Sequence, residues 1–345
     1  MTQGVHVVGG GLAGAEAAWQ AAERGHRVTL HEMRPETPTP AHETGLLAEL
    51  VCSNSFKSTE ITTGAGLLKA EVKSLGSMLL GVAEEALVPA GTALSVDRLR
   101  FATTVTERLQ SHPLISVVRG EVTSVPDDRH VVLASGPLTS KSLAESLSAF
   151  VGAENLFFYD ALAPIVDAES IDYDRVFSGS RYGKGEGDFL NCAFTRAEYA
   201  AFWEALTSAE VLELKEIDRR YLFEGCLPIE ELAGRGFETI AFGPMRPVGL
   251  AEPGGGPRPF AVLQLRPENR ERSMYGLVGC QTRLKQAEQR RVFRMVPGLA
   301  RARFLRYGAV HRNTYIESPR VLSESLMARS RPGLFMAGQI VGGEG

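Results

Sequence analysis

Apolar and polar positions alternate along the chain in a way that predicts a mixed α/β protein opening on strand, turn and helix. Val5-His6-Val7-Val8 is a short β-branched run, followed by a glycine-rich turn and an alanine-rich stretch from Ala15 to Arg24 that reads as a helix closed by Gly25. A second strand is predicted over Arg27–Glu32, and a later strand-and-glycine segment over Val131–Pro137. From about Gly183 to Arg312 this pattern gives way to a different mixture. There the spacing predicts a charged helix over Glu204–Arg219, strands over Ala261–Leu265 and Met274–Val278, a helix over Arg283–Met295, and Pro/Gly-rich loops at Gly243-Pro244 and Glu252–Pro257.

The expected organisation is a Rossmann-like domain over 1–182, an inserted α+β domain over 183–312, and a return to the first domain over 313–345. A length of 345 residues suits two cores better than one. Hydrophobic residues at 44% and charged residues at 23% are ordinary for a folded, soluble chain. Apolar runs such as Leu75–Leu80 are far shorter than the ~20 residues a bilayer span needs, and no leader pattern opens the chain, so the expectation is a cytoplasmic protein. Cys52, Cys192, Cys226 and Cys280 are too far apart for a paired ligand motif, which argues against a zinc site, and disulfides are not expected in a reducing compartment.

The turn Gly9-Gly10-Gly11-Leu12-Ala13-Gly14 carries the first chemical signal. In a strand–turn–helix context Gly9 makes the tight turn, Gly11 lets a pyrophosphate approach the backbone, and Gly14 lets helix pack on strand. A turn that merely packed a helix on a sheet would not need Gly10 and Gly11. Glu32 ends the second strand 18 residues past Gly14, where a carboxylate accepts from a ribose 2′-hydroxyl and repels a 2′-phosphate. FAD or NAD is therefore favoured over NADP, and the Val131–Pro137 segment tilts the choice toward FAD.

More specific blocks follow in order: His31–Pro35, Val51–Ser55, Gly66–Glu71, Val88–Gly91, Val96–Arg98, Gly136–Ser140, Tyr159–Val166, Phe223–Glu231, Phe242–Leu250, Gln281-Thr282, Leu284-Lys285 and His311–Tyr315. Together they span almost the whole chain, which resembles the folate- and FAD-dependent tRNA uridine C5-methyltransferases that make the T-loop 5-methyluridine. The folate flavoproteins that modify the wobble uridine share the glycine loop but not the Phe242–Leu250 and His311–Tyr315 blocks. The resemblance implies a two-dinucleotide flavoprotein fold, FAD as cofactor, methylenetetrahydrofolate as one-carbon donor, NAD(P)H as reductant, and the T-arm of tRNA as partner.

Uracil C5 is a poor nucleophile until a thiolate adds to C6, so this chemistry calls for a cysteine. The resemblance assigns that attack to Cys226 and a flavin-side role to Cys52; the reverse assignment fits the same positions. Cys192 and Cys280 read as small buried hydrophobes. Glu224, Asp97 and Arg98 are further polar groups near these blocks, each open to a capping or ion-pairing role. Although the net charge is −4, the stretch from Arg283 to Arg320 is strongly basic. On the predicted helix Arg283, Arg290 and Arg294 share one face, and with Lys285 they are candidate RNA contacts, unless that face is simply solvated. Ser180–Lys184 adds an arginine and a tyrosine able to stack on a flipped base. Gly338 and Gly342 belong to the C-terminal Gly-rich segment that this family places beside the flavin pyrimidine edge. Family members continue beyond that point; a short relative that keeps tRNA binding without catalysis is thus an alternative, as is a general flavin oxidoreductase acting on a small molecule.

Overall fold

The computed structural model describes residues 4–39, 41–152, 156–181, 187–212, 227–250 and 257–342. Its first element, β1 (Val5–Val8), runs into the turn at Gly9–Gly11, from which α1 (Leu12–Glu23) leads back to β2 (Val28–Glu32). In α1 the buried face is Gly14, Ala15, Ala18 and Ala22, small residues at helical spacing that let the helix lie close on the sheet. The helix stops at Arg24, and Gly25 takes the left-handed backbone (φ +83°) expected of the residue after a helix end.

β1 and β2 lie at the centre of a five-stranded sheet of order Leu334–Met336, Val131–Leu133, β1, β2, Ile115–Arg119, with every neighbouring pair parallel. This is the doubly wound pattern, with the chain reversing its direction of progress between β1 and the Val131–Leu133 strand. Between β2 and Ile115 the chain makes an excursion of three helices, Gly64–Ser74, Met78–Glu85 and Arg98–Ser111, and a small three-stranded sheet. Leu30, Leu47, Val82, Phe101 and Leu109 are fully buried where that excursion packs on α1 and the sheet. Each such side chain contributes about 1.5–3 kcal/mol by leaving water.

A second core surrounds a six-stranded antiparallel sheet of order Val176–Ser178, Leu190–Phe194, Ala261–Pro267, Met274–Leu277, Ile165–Asp167, Phe304–Arg306. This sheet takes strands from both sides of residue 183. Tyr199, Phe202 and Phe293 fill its core from the helices Arg196–Thr207 and Gln286–Phe293. A two-stranded ribbon, Leu156–Ala161 against Val310–Tyr315, carries the chain into and out of this lobe in continuous register. The lobes also touch directly: the Asn54 side-chain amide donates to the carbonyls of Val96 (3.0 Å) and Pro267 (3.1 Å), and the Gly91 N–H donates to Asp188 (2.6 Å).

Two expected elements are corrected. The charged helix expected over Glu204–Arg219 is instead Arg196–Thr207, started by a capping box between Thr195 and Glu198. Past Ser208 the chain leaves the helix through a bend, and Val211 is bridged to Leu284, so tertiary pairing overrides the charged pattern; 213–226 lie outside the described residues. The helix expected over Arg283–Met295 begins only at Gln286, because the Arg283 carbonyl is engaged by the Leu212 N–H (2.8 Å). Among the described residues no helix is long and apolar enough to cross a membrane.

Candidate flavin and thiol site

The glycine turn occupies the point where the parallel sheet changes direction. A Cβ on Gly9 would lie 2.4 Å from the Ala134 carbonyl oxygen, and one on Gly14 would lie 1.8 Å from that of Gly9. Gly9 also has φ +103°, a conformation that L side chains rarely adopt. Gly10 is closed off by Leu47 and Glu32, whereas a Cβ on Gly11 would meet nothing within 4 Å. The turn is thus packed on one side and open at Gly11, beside the start of α1.

Gly11 caps α1 without a side chain, which leaves the first-turn N–H groups of Leu12 and Ala13 without a side-chain cap. Oriented N–H groups, a helix N-terminus and a side-chain-free approach fit the pyrophosphate of a dinucleotide. When bound, FAD supplies the redox and one-carbon chemistry that protein side chains lack. At the other end of the site the C-terminal segment returns to α1: Ala337 N–H donates to the Leu133 carbonyl (3.0 Å), and Gly338 (φ +79°) passes so close that a Cβ there would sit 2.6 Å from that of Ala13. Gly342, also left-handed, ends the Gly338–Val341 turn against Tyr315.

Glu32 is buried at the end of β2. Its Oε2 accepts from the Gly10 N–H (2.9 Å), and its Oε1 accepts from the N–H and the guanidinium Nε of Arg34 (2.9 Å each). Burial opposes the charge, yet the Arg34 and Gly10 donors outweigh it and hold the carboxyl below its ordinary range. Glu32 is therefore ionised, ties the glycine turn to Arg34, and has one acceptor direction left on Oε2. Arg34 extends the network to Glu49 (3.0 Å), which in turn accepts from the Thr44 hydroxyl and N–H.

Two histidines border this network. His42, fixed by Thr39 at 2.6 Å, is pushed down to about 4 by burial, reinforced by the Arg34 charge. His311, buried on the ribbon 4.0 Å from Asp160, is also lowered by burial, against the pull of that carboxylate. Both are neutral imidazoles at physiological pH. Sequence reasoning missed Arg34 and His42 as functional candidates. Arg34 stands in the His31–Pro35 block with nothing local to give it a role, and His42 stands in no motif; only their place beside Glu32 gives them meaning.

Cys52 lies in the loop after this network. Ala48 N–H donates to the Gly10 carbonyl (2.8 Å), and four residues then lead to Cys52, so its Cα is within about 14 Å of Ala48's. Arg98, the first residue of its helix, clamps the loop by donating to the carbonyls of Leu50 and Cys52, the latter at 3.1 Å, and pairs with buried Glu268 (2.7 Å). Asp97 caps the same helix through the Arg100 N–H (2.9 Å). Cys226, Glu224 and Tyr182–Lys184 fall outside the described residues. Cys192 and Cys280 are fully buried, and burial raises both thiols.

The expected basic face is corrected at Arg283. It precedes the helix, is buried, pairs with Glu231 and donates to the Leu212 carbonyl (3.0 Å), while its N–H donates to Glu230 (2.8 Å). A guanidinium held in this way is a structural tie and not a surface RNA contact. Lys285 pairs with Glu210 (2.7 Å); Arg290 stacks over Tyr307 at 5.7 Å; Arg294 donates to the Ala302 carbonyl. These three remain on the exposed side.

Residues 4–345 match the family of glucose inhibited division protein A. The chain is 56% identical, over its full length and 79% of the relative's, to the methylenetetrahydrofolate–tRNA-(uracil-5-)-methyltransferase TrmFO of Desulforudis audaxviator, and 54% identical, over its full length and 78% of the relative's, to that of Aquifex aeolicus. Its fold superposes on the solved structure of Aquifex aeolicus GidA with a TM-score of 0.72 at 15% identity, covering all of this chain and 61% of that one. This likeness shows the two-dinucleotide flavoprotein fold. With near-complete matches at this level of identity, the chain belongs to the methylenetetrahydrofolate–tRNA-(uracil-5-)-methyltransferase family within the glucose inhibited division protein A group.

Proposed function

We propose that this chain is a cytoplasmic, FAD-dependent enzyme that methylates C5 of the T-loop uridine of tRNA, taking the carbon from methylenetetrahydrofolate and the reducing equivalents from NAD(P)H. The observation that carries this reading is the coupling of a thiol loop to the glycine turn. The Leu47–Cys52 segment is bonded to Gly10 at one end and clamped by Arg98 at the other. A general flavin oxidoreductase has no need of that thiol.

In this reading the open side of Gly11 and the first turn of α1 hold the pyrophosphate, Glu32 takes the ribose, and the Gly338–Gly342 turn closes the crevice. Cys226 adds to C6 of the extruded uracil, which makes C5 nucleophilic, and Cys52 acts on the flavin side. Lys285, Arg290 and Arg294 steer the tRNA backbone. The 1–182 and 313–345 segments then supply the flavin lobe, with the strands Ile165–Asp167 and Val176–Ser178 crossing into the second lobe that 183–312 otherwise builds.

The test is methyl transfer to a T-loop transcript given FAD, methylenetetrahydrofolate and NAD(P)H. Product should carry the label at C5 of one uridine, and Cys226→Ser should abolish turnover while leaving flavin bound. Modification of a wobble uridine, or transfer undiminished in Cys226→Ser, would refute the assignment.

A further inference from the structure

Arg98 donates to the carbonyls of Leu50 and Cys52, and beside it Arg266 and Arg306 stand on one row of the antiparallel sheet, in register through Gly276 and Ile165, with Glu268 over Gly276. Arg98 comes from the helix Arg98–Ser111, Arg266 from the strand Ala261–Pro267, and Arg306 from the strand Phe304–Arg306. One buried carboxylate, Glu268, lies among them, at 2.7 Å from Arg98 and 3.6 Å from Arg266. Guanidinium groups do not lose their protons in proteins, so among the described residues this cluster carries an excess of positive charge, largely shielded from bulk water.

The excess is visible in the hydrogen bonding as well. The Nε atoms of Arg266 and Arg306 are buried without a hydrogen-bond partner. Burial disfavours the charge of both groups, and Arg98 repels both; Glu268 and Cys52 favour the charge of both, and Glu43 adds to this at Arg306. On the other side of the loop Glu49 is committed to Arg34 and Thr44 and is no counter-ion for the cluster. Cys52 therefore gains from the same charges when it becomes an anion, since each favourable effect of a thiolate on an arginine is matched by an equal effect of that arginine on the thiol.

We propose that Arg98, Arg266 and Arg306 form a cationic pocket that holds Cys52 as a thiolate at neutral pH, with Glu268 setting how far the thiol is acidified. The S–H bond breaks with its electron pair left on Sγ, the proton passes to solvent, and no oxidant or reductant is involved. Arg266 and Arg306 are then positioning residues acting through Cys52. The proposal deepens the reading of Cys52 as a functional thiol, yet it concerns only the charge of that sulfur, so it fails or holds separately from methyl transfer.

The experiment is the rate of iodoacetamide alkylation of the Cys52 peptide in the intact protein, followed by mass spectrometry across pH. The wild-type midpoint should lie about 1–2 pH units below the ordinary thiol value of ~8.5. Arg266→Met and Arg306→Met should each move it up by roughly half a unit or more, Arg306→Lys should restore it, and Glu268→Gln should move it further down. A purely structural role predicts no such opposite signs. A wild-type midpoint at the ordinary thiol value, or one that none of the folded variants moves, overturns the proposal. Should the buried-arginine variants fail to fold, the wild-type profile decides by itself.

Discussion

The glycine turn and the arginine-rich stretch after residue 282 are both conspicuous in the sequence, and the fold treats them differently. In the turn, Gly9 and Gly14 are explained by close backbone approach, Gly14 against Gly9 and Gly9 against Ala134 beside the adjacent strand. In the basic stretch, the fates of Arg283, Lys285 and Arg303 are decided by partners far along the chain: Arg283 by Glu231, Lys285 by Glu210, Arg303 by Asp167 and Glu169. Backbone close approach leaves a local signature, whereas charge pairing depends on tertiary neighbours. A motif of glycines therefore reads more safely than a cluster of like charges.

The sharpest way to break this contrast is inside the turn itself. Gly14→Ala should destabilise the protein by about 3 kcal/mol and release bound flavin, because its Cβ has no space to occupy. Gly11→Val should lower the stability of flavin-free protein by only about 1 kcal/mol, the cost of a poorer helix N-cap, since Gly11 has an ordinary extended backbone and open space, yet it should abolish flavin binding. Equal melting losses in the two variants would contradict the one-sided packing of the turn.

Acidification gives the next largest effect. His42 is lowered in the folded state, so the unfolded chain binds the extra proton between about pH 6.5 and about 4. Its contribution is complete above that window and is lost as pH falls through it, by up to roughly 3 kcal/mol. His311 shifts in the same direction and adds to the slope. His42→Gln should flatten the denaturation midpoint against pH over this range; an unchanged slope would show that His42 is not the sensor.

In the basic stretch the effects should separate by position. Arg283→Met should cost about 2 kcal/mol of stability through loss of its inward ion pair and of its bond to the Leu212 carbonyl. Arg290→Ala and Arg294→Ala should each cost about 1 kcal/mol or less, since Arg290 gives up a ring interaction and Arg294 a part-buried bond to a carbonyl. They should instead weaken tRNA binding and lower its salt slope by about one for each phosphate left without its arginine. If Arg283→Met alters the salt slope and the exposed pair does not, the division of this stretch into tie and surface is wrong.

Much of the first lobe was legible in the sequence. β1 is found where its β-branched run predicts, β2 begins one residue later than expected, and α1 is extended at its start to Leu12 by the turn itself. The strands at Ala261 and Met274 follow their apolar pattern closely. What was not legible depends on long-range pairing. The Arg98–Glu268 pair joins residues 170 positions apart, and nothing near either one signals it. The helix ending at Thr207 was misplaced because its capping box lies upstream of the charged run from which the helix was expected.

The crevice at Gly11 is the claim on which the rest stands, and the visible absorption spectrum of the purified protein after incubation with FAD and desalting tests it most directly. Flavin absorbance at close to one equivalent per chain is predicted for the wild type, and none for Gly11→Val that remains folded. A colourless wild type that cannot be reconstituted, or a Gly11→Val variant that is equally yellow, would contradict it.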